Sequence, residues 1–167
     1  MNESQSAVSF LVVSCPHAHG IARMSEMNTK AKFADIELAY NFVSSAAPST
    51  NSAFLCRETG MCHWHSKYDD LEEPLPEDVW DRTKYVEIPH KNDLDLGQRL
   101  VFRFVGRVLP DDVGEVTGIF RRRGAYRHFK SLLERRGKLD EWFEFQNNSE
   151  RDALRQWCAD NGVALED

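Results

Sequence analysis

The 167-residue sequence has no long hydrophobic run and contains few prolines and glycines. No apolar stretch approaches the roughly 18 residues that a membrane-spanning helix needs, so we predict that the chain does not cross a membrane. With 6 prolines, 9 glycines, 41% hydrophobic and 29% charged residues, the composition excludes fibrous repeats and long disorder. The length is typical of one globular domain with a single core.

The sequence also lacks the positively charged start of a secretory signal. An apolar run covers Val8 to Cys15, but Glu3 precedes it and the first positive side chain is Arg23. A signal peptide needs a positive segment ahead of its apolar stretch. We therefore expect a cytoplasmic protein with no membrane partner.

Motifs of the common catalytic sites are absent as well. There is no P-loop, no dinucleotide-binding glycine fingerprint, and no cysteine or serine in a known nucleophile motif. The four cysteines have no C-x-x-C spacing and predict no disulfide framework. No cofactor or catalytic residue is predicted, and an enzyme whose site is assembled from distant residues, such as His63, His65 or His128, is the alternative to a binding function.

The first half of the chain shows one amphipathic segment followed by strand-like runs. Apolar residues at helical spacing predict a helix from Phe33 to Ala47. Strand formers on both sides of Glu58-Thr59-Gly60 predict a β-hairpin with a three-residue loop, in which Gly60 takes a positive φ. Lys84 to Pro89 predicts a third strand.

The second half has helical periodicity throughout. We predict helices through Leu96 to Val108, from Pro110 to Gly124, from Ala125 to Gly137, over Leu139 to Phe145, and from Asn148 or Ser149 to Gly162. The expected fold is α+β, with a small antiparallel sheet of a hairpin and a third strand packed with about five or six helices. Residues 1–31 have no helical period and predict a poorly ordered or loosely attached extension ahead of a single domain over 32–167.

The predicted hairpin contains residue types that bind zinc: Cys56, Cys62, His63 and His65. With a loop over residues 58–60, Cys56 is expected to face Cys62, and both histidines are expected to point to the other side of the sheet. A two-residue loop would instead bring Cys56 beside His63, but threonine suits the first position of that turn poorly. We predict no metal and keep these four residues as a weak alternative site.

A basic segment at residues 121–138 departs most from an ordinary composition. It holds eight lysine or arginine residues and one glutamate, a net charge of +7 in a chain whose total is −6. Such side chains bind phosphates through charge-assisted hydrogen bonds, and a tyrosine can stack on a base. The candidate binding residues are Arg121, Arg122, Arg123, Tyr126, Arg127 and Lys130. The predicted partner is a nucleic acid or an acidic protein.

Local stability explains part of the same segment. Arg121 to Arg123 close a helix that begins with Asp111 and Asp112, an arrangement that the helix dipole favours. The acidic segment from Asp69 to Asp81 is a second potential source of counter-charge. We predict a non-enzymatic binding or regulatory module that uses the 121–138 surface, and the sequence does not indicate an oligomeric state.

The basic segment also carries a family resemblance. Arg123-Gly124-Ala125-Tyr126-Arg127-His128-Phe129-Lys130, followed by Trp142, Phe145, Trp157 and Asn161-Gly162, resembles Uncharacterised Protein Family 0158 of bacteria. The hairpin, the third strand and the helix through Phe104 fit the same family order, so the resemblance covers about residues 32–164. The family usually has glycine, phenylalanine and arginine where this chain has Arg122, Tyr126 and His128. The resemblance supports the fold, and it implies no activity, cofactor or catalytic residue, because none is established for the family.

Overall fold

The structure is a computed structural model that describes residues 30–68 and 74–166, and these residues form the predicted α+β fold. The strands are β1 (Lys30–Lys32), β2 (Asn51–Cys56), β3 (Cys62–Ser66), β4 (Tyr85–Glu87) and β5 (Ala164–Glu166). The α-helices are α1 (Phe33–Ser45), α2 (Gln98–Val108), α3 (Val113–Phe120), α4 (Ala125–Arg136) and α5 (Leu139–Asp160), and a 3-10 turn covers Pro110–Asp112.

The hairpin and the third strand build an antiparallel sheet in the order β3-β2-β4. One face of this sheet packs under α1, whose buried residues Ile36, Ala39 and Tyr40 repeat at the predicted helical spacing. The ring of Phe42 on α1 meets Trp64 on β3 edge-on, with 5.2 Å between the ring centroids. The helix stripe and one side of each strand therefore form a single core.

The register of the hairpin differs from the predicted one by one residue. Leu55, not Cys56, lies opposite Cys62, and Phe54 lies opposite His63. The loop has four residues because the Gly60 N–H donates to the Cys56 carbonyl at 2.9 Å and the Cys56 N–H donates to the Met61 carbonyl at 2.8 Å. Gly60 has the predicted positive φ, 72°. A shift of one residue moves Cys56 to the other face of the sheet from Cys62.

A second sheet, which the sequence did not reveal, joins the two ends of the described chain. β1 and β5 pair in parallel, with Ala31 opposite Leu165. Lys30 and Ala31, which belong to the predicted extension, are thus part of this pair, and residues 1–29 lie outside the described residues. The hairpin loop packs against β1, since a Cβ atom added to Gly60 would stand 2.2 Å from the Lys30 carbonyl oxygen.

The C-terminal half is helical up to Asp160, as predicted, but α5 is one helix of 22 residues instead of two. Its inward stripe continues from Trp142 through the half-buried Ser149 to Leu154. The Gln146 side chain donates to the Glu150 carboxylate at 2.8 Å across the expected break. Ser149 therefore lies inside a helix and does not cap one. No helix among the described residues is long and apolar enough to cross a membrane.

An aromatic cluster holds α2, α4 and α5 together. Phe104, Phe129 and Trp142 are almost completely buried, and the Trp142 ring lies 5.3 Å from Phe104 and 5.1 Å from Phe129, edge-on in both cases. Edge-to-face pairs of this kind add to the stability that burial itself provides. The cluster fixes which side of α4 faces inward.

The contact between the hairpin loop and β1 predicts a strong effect of a small substitution. Gly60→Ala should lower the free energy of unfolding by at least about 2 kcal/mol, because alanine is strained at φ 72° and its Cβ would overlap the Lys30 carbonyl oxygen. Gly106→Ala is the matched control. Position 106 is an exposed interior position of α2 with no atom within 4 Å of an added Cβ, so this change should stabilise by about 0.5–1 kcal/mol. Urea denaturation of both variants measures the difference, and equal midpoints would contradict the packing of the loop on β1.

Candidate functional site

The basic segment forms the turn between α3 and α4, the whole of α4, and the two residues that follow it. Phe129, Leu132 and Leu133 of α4 are fully buried, so the charged residues between them project outward. Gly124 and Gly137 bound the helix with φ of 72° and 64°, the left-handed conformation that glycine adopts without strain. The amphipathic pattern of α4 thus directs Arg127, Lys130 and Arg135 outward, and the turn before α4 adds Arg121 to Arg123 to the basic surface.

Three of the cations in the segment form ion pairs with acidic residues of the described chain. Arg136 donates from Nε and Nη2 to both oxygens of Asp112, at 2.9 and 2.6 Å. Arg135 pairs with Glu115 at 3.1 Å and Lys138 with Glu141 at 2.6 Å. The hydrogen bond from Arg136 holds the pKa of Asp112 below its usual range. The pairs of Arg135 and Arg136 fasten the C-terminal end of α4 to the 3-10 turn and α3, and the Lys138 pair lies at the start of α5.

The described part of the acidic segment does not supply these partners. Asp78 pairs with Lys84 at 2.6 Å, and Asp81 accepts hydrogen bonds from Thr83. Asp69 to Glu73 lie outside the described residues. Within the described chain, the counter-charges of the basic segment come from Asp112, Glu115 and Glu141.

Four arginines of the segment remain exposed without such partners. Arg121, Arg122, Arg123 and Arg127 form no ion pair with any residue in the described ranges. The first three lie in the turn between α3 and α4, and Arg127 follows in the first turn of α4. We call these residues the arginine cluster. Ion pairs account for Arg135, Arg136 and Lys138. The dipole of α3 favours positive charge at its C-terminal end, where Arg121 to Arg123 lie, but it supplies no side-chain partner for the arginine cluster.

Tyr126 and Lys130 lie one turn apart on α4 and contact aromatic rings of α3 and α5, respectively. The Tyr126 ring packs edge-on against Phe120 with centroids 5.2 Å apart, and 44% of the residue remains exposed. Burial of the other part raises the pKa of its phenol, which stays neutral at physiological pH. The Lys130 ammonium lies 5.3 Å from the centre of the Phe143 ring on α5. The rings of Tyr126 and Phe143 are thus partly exposed beside positive charge. Phe143 was not identified from the sequence as part of this surface.

A groove of about 340 Å³ runs between α3 and α4 on the opposite side of α4. Gly118 and Ile119 line it from α3, and His128 and Ser131 line it from α4. Arg122 of the arginine cluster also borders it. Gly118 on α3 and Ser131 on α4 were not identified from the sequence. The helical spacing of residues 128, 131 and 135 places these three on one face of α4, and this spacing could have revealed Ser131. The candidate residues therefore divide between two sides of α4, with the arginine cluster at its N-terminal end.

The weak metal alternative at the hairpin is not assembled. Because of the shifted register, Cys62 faces the core under α1, whereas Cys56, His63 and His65 belong to the other face of the sheet. The His63 ring packs against Tyr85 at 5.8 Å. The described residues contain no group of three or more histidine, cysteine or carboxylate side chains that could hold a metal ion.

The histidines named for a hidden catalytic site are likewise spread over different elements. His63 and His65 lie on β3, and His128 lies in α4 beside the groove. His90 is buried, its Nδ1 accepts the Asn92 N–H at 3.1 Å, and its Nε2 donates to the Ala46 carbonyl at 3.3 Å. His90 thus ties the loop before α2 to the end of α1.

No family model, curated protein or solved structure matches the chain. The resemblance to Uncharacterised Protein Family 0158 thus stays a prediction from the motif around Gly124.

Buried thiols should be chemically inert. Burial raises the pKa of both Cys62 and Cys158 to about 11, so neither forms the reactive thiolate at neutral pH. Cys56 is also buried and therefore poorly accessible to reagents. In a Cys15→Ser variant, Ellman's reagent should react slowly with the folded protein at neutral pH and with three thiols in denaturant. Because the folded state keeps these protons more tightly than the unfolded chain, stability should fall as the pH rises from about 9 to about 11. A thiol of the folded protein that reacts within seconds at neutral pH would contradict this assignment and would make that cysteine a candidate nucleophile.

Proposed function

We propose that the protein is a binding module that takes a phosphate-bearing partner, first of all a nucleic acid, on the arginine cluster and the adjoining groove. The observation that carries the proposal is the division of the basic segment into paired and exposed cations. Ion pairing accounts for Arg135, Arg136 and Lys138, whereas the arginine cluster stands in solvent without a described acidic partner. Like charges held together at one helix end repel each other, and a bound polyanion relieves that repulsion.

The chemistry of the surface fits a nucleic acid better than an acidic protein. Guanidinium groups bind phosphate oxygens in a bidentate manner, and Ser131 and His128 add hydrogen-bonding groups along the groove. Tyr126 and Phe143 offer partly exposed rings next to Lys130, the combination on which unpaired bases stack. These features favour a nucleic acid, and an acidic protein remains the second partner class. The resemblance to Uncharacterised Protein Family 0158 extends the proposal to the proteins of that family.

The proposal predicts salt-sensitive binding that depends on particular arginines. Affinity for a short oligonucleotide should fall with salt along a log–log slope of roughly −3 to −4, since about four cations contact phosphates. Replacing three members of the cluster, Arg121→Gln with Arg123→Gln and Arg127→Gln, should weaken binding by at least about tenfold at low salt and reduce the slope by roughly 2–3. Fluorescence anisotropy over a salt series measures both quantities.

A charge-matched control separates the surface from net charge. Arg99→Gln with Arg103→Gln and Arg107→Gln removes the same three charges from α2, where Arg103 and Arg107 border a different groove against α5. This variant should keep the native affinity within about threefold. Equal losses of affinity in the two variants would show that net charge alone accounts for binding. Absence of binding by the native protein at low salt would reject the nucleic-acid partner in favour of an acidic protein.

A further inference from the structure

A second cleft, of about 330 Å³, opens on the face of the three-stranded sheet that α1 leaves uncovered. It brings together side chains from β2, β4, the hairpin loop and the turn before β4, among them Phe54, Arg57, Trp80, Arg82, Tyr85 and Glu87. None of these residues belongs to the basic segment. The cleft is a separate feature that the sequence motifs did not indicate.

The apolar part of this cleft is aromatic. Phe54 is buried, and the Trp80 ring meets it edge-on with 5.3 Å between centroids. Trp80 nevertheless remains 73% exposed, although tryptophan is usually well covered in a folded protein. Val79 is buried beside it and anchors the turn. The indole is thus held in place at the edge of the cleft with most of its surface available to a ligand.

The polar part contains two guanidinium groups. Arg57 is half-buried and donates one hydrogen bond, to the Asn161 carbonyl at 2.6 Å, out of the five that a guanidinium can make. Neither Arg57 nor Arg82 forms an ion pair with a described residue, and Glu87, which also lines the cleft, lies beyond ion-pair distance of both. A charge that is partly removed from water without a counter-ion costs free energy that an anionic ligand would recover.

We propose that this cleft binds a small planar aromatic anion, with its ring against Trp80 and its carboxylate or phosphate on Arg57 and Arg82. The volume lies at the lower end for small-molecule sites and matches a ligand of one or two rings. The Tyr85 hydroxyl is already directed to Asp78 at 3.4 Å, so the guanidinium groups supply the anion contacts. This site shares no residue with the surface proposed for nucleic acid, and either proposal can fail alone.

The test uses three probes that separate ring from charge. 1-Naphthoate carries both, 1-naphthamide has the ring without the charge, and cyclohexanecarboxylate has the charge without the aromatic ring. In ¹H–¹⁵N spectra of the full chain, 1-naphthoate should shift the Trp80 indole resonance saturably, and that resonance is identified by its loss in Trp80→Phe. The other two probes should bind at least about tenfold more weakly, because each lacks one of the two contacts.

Substitution of the arginines completes the test. Arg82→Gln changes an exposed side chain and should weaken 1-naphthoate binding by at least about fivefold without altering the fold. Arg57→Gln should weaken it further, and unchanged resonances of α5 would show that the variant keeps its structure. Equal affinity for 1-naphthoate and 1-naphthamide, an undiminished affinity in Arg82→Gln, or no saturable shift of the Trp80 indole would overturn the proposal.

Discussion

Burial of the apolar stripe of α4 against Trp142 is the interaction on which the basic surface depends. Phe129 lies between Phe120 and Trp142, and it has no exposed surface. With that side of the helix turned inward, Arg127 faces solvent, and the turn that precedes the helix exposes Arg121 to Arg123 beside it. The charge of the surface is therefore held in place by packing, which opposes the mutual repulsion of the cations.

The ion pairs of the same region have a different role from the arginine cluster. Arg136 and Asp112 form a bidentate pair between the end of α4 and the turn before α3, and Arg135 adds Glu115. Arg135, Arg136 and Glu115 are partly exposed to solvent, where such pairs stabilise only weakly, whereas only 12% of the Asp112 side chain is exposed. The main effect of these pairs is to fix the orientation of the α3–α4 hairpin. The cluster at the other end of α4 is then presented by a rigid element, as a binding surface requires.

The elements of the fold could be predicted where one pattern dominates the local sequence. The stripe in α1 and the positive φ of Gly60 follow from spacing and turn chemistry. The β1–β5 pair could not be found, because two strands of three residues at opposite ends carry no local signal. The helix break predicted at Ser149 was wrong. The polar residues around Ser149 resemble a helix cap, but the inward-facing stripe of α5 continues through them. The candidate arginines were visible as a charge run, but only the structure separates those with acidic partners from those without.

In the proposed function, the exposed arginines at the start of α4, and not the paired ones at its end, contact a phosphate backbone. The most direct measurement follows the Nε–H resonances of individual arginines by NMR while a short oligonucleotide is added. Saturable shifts at Arg121, Arg122, Arg123 and Arg127, with little change at Arg136 and Arg103, are the predicted result. Shifts that are largest at Arg136 or Arg103, or equal at all arginines, would contradict it.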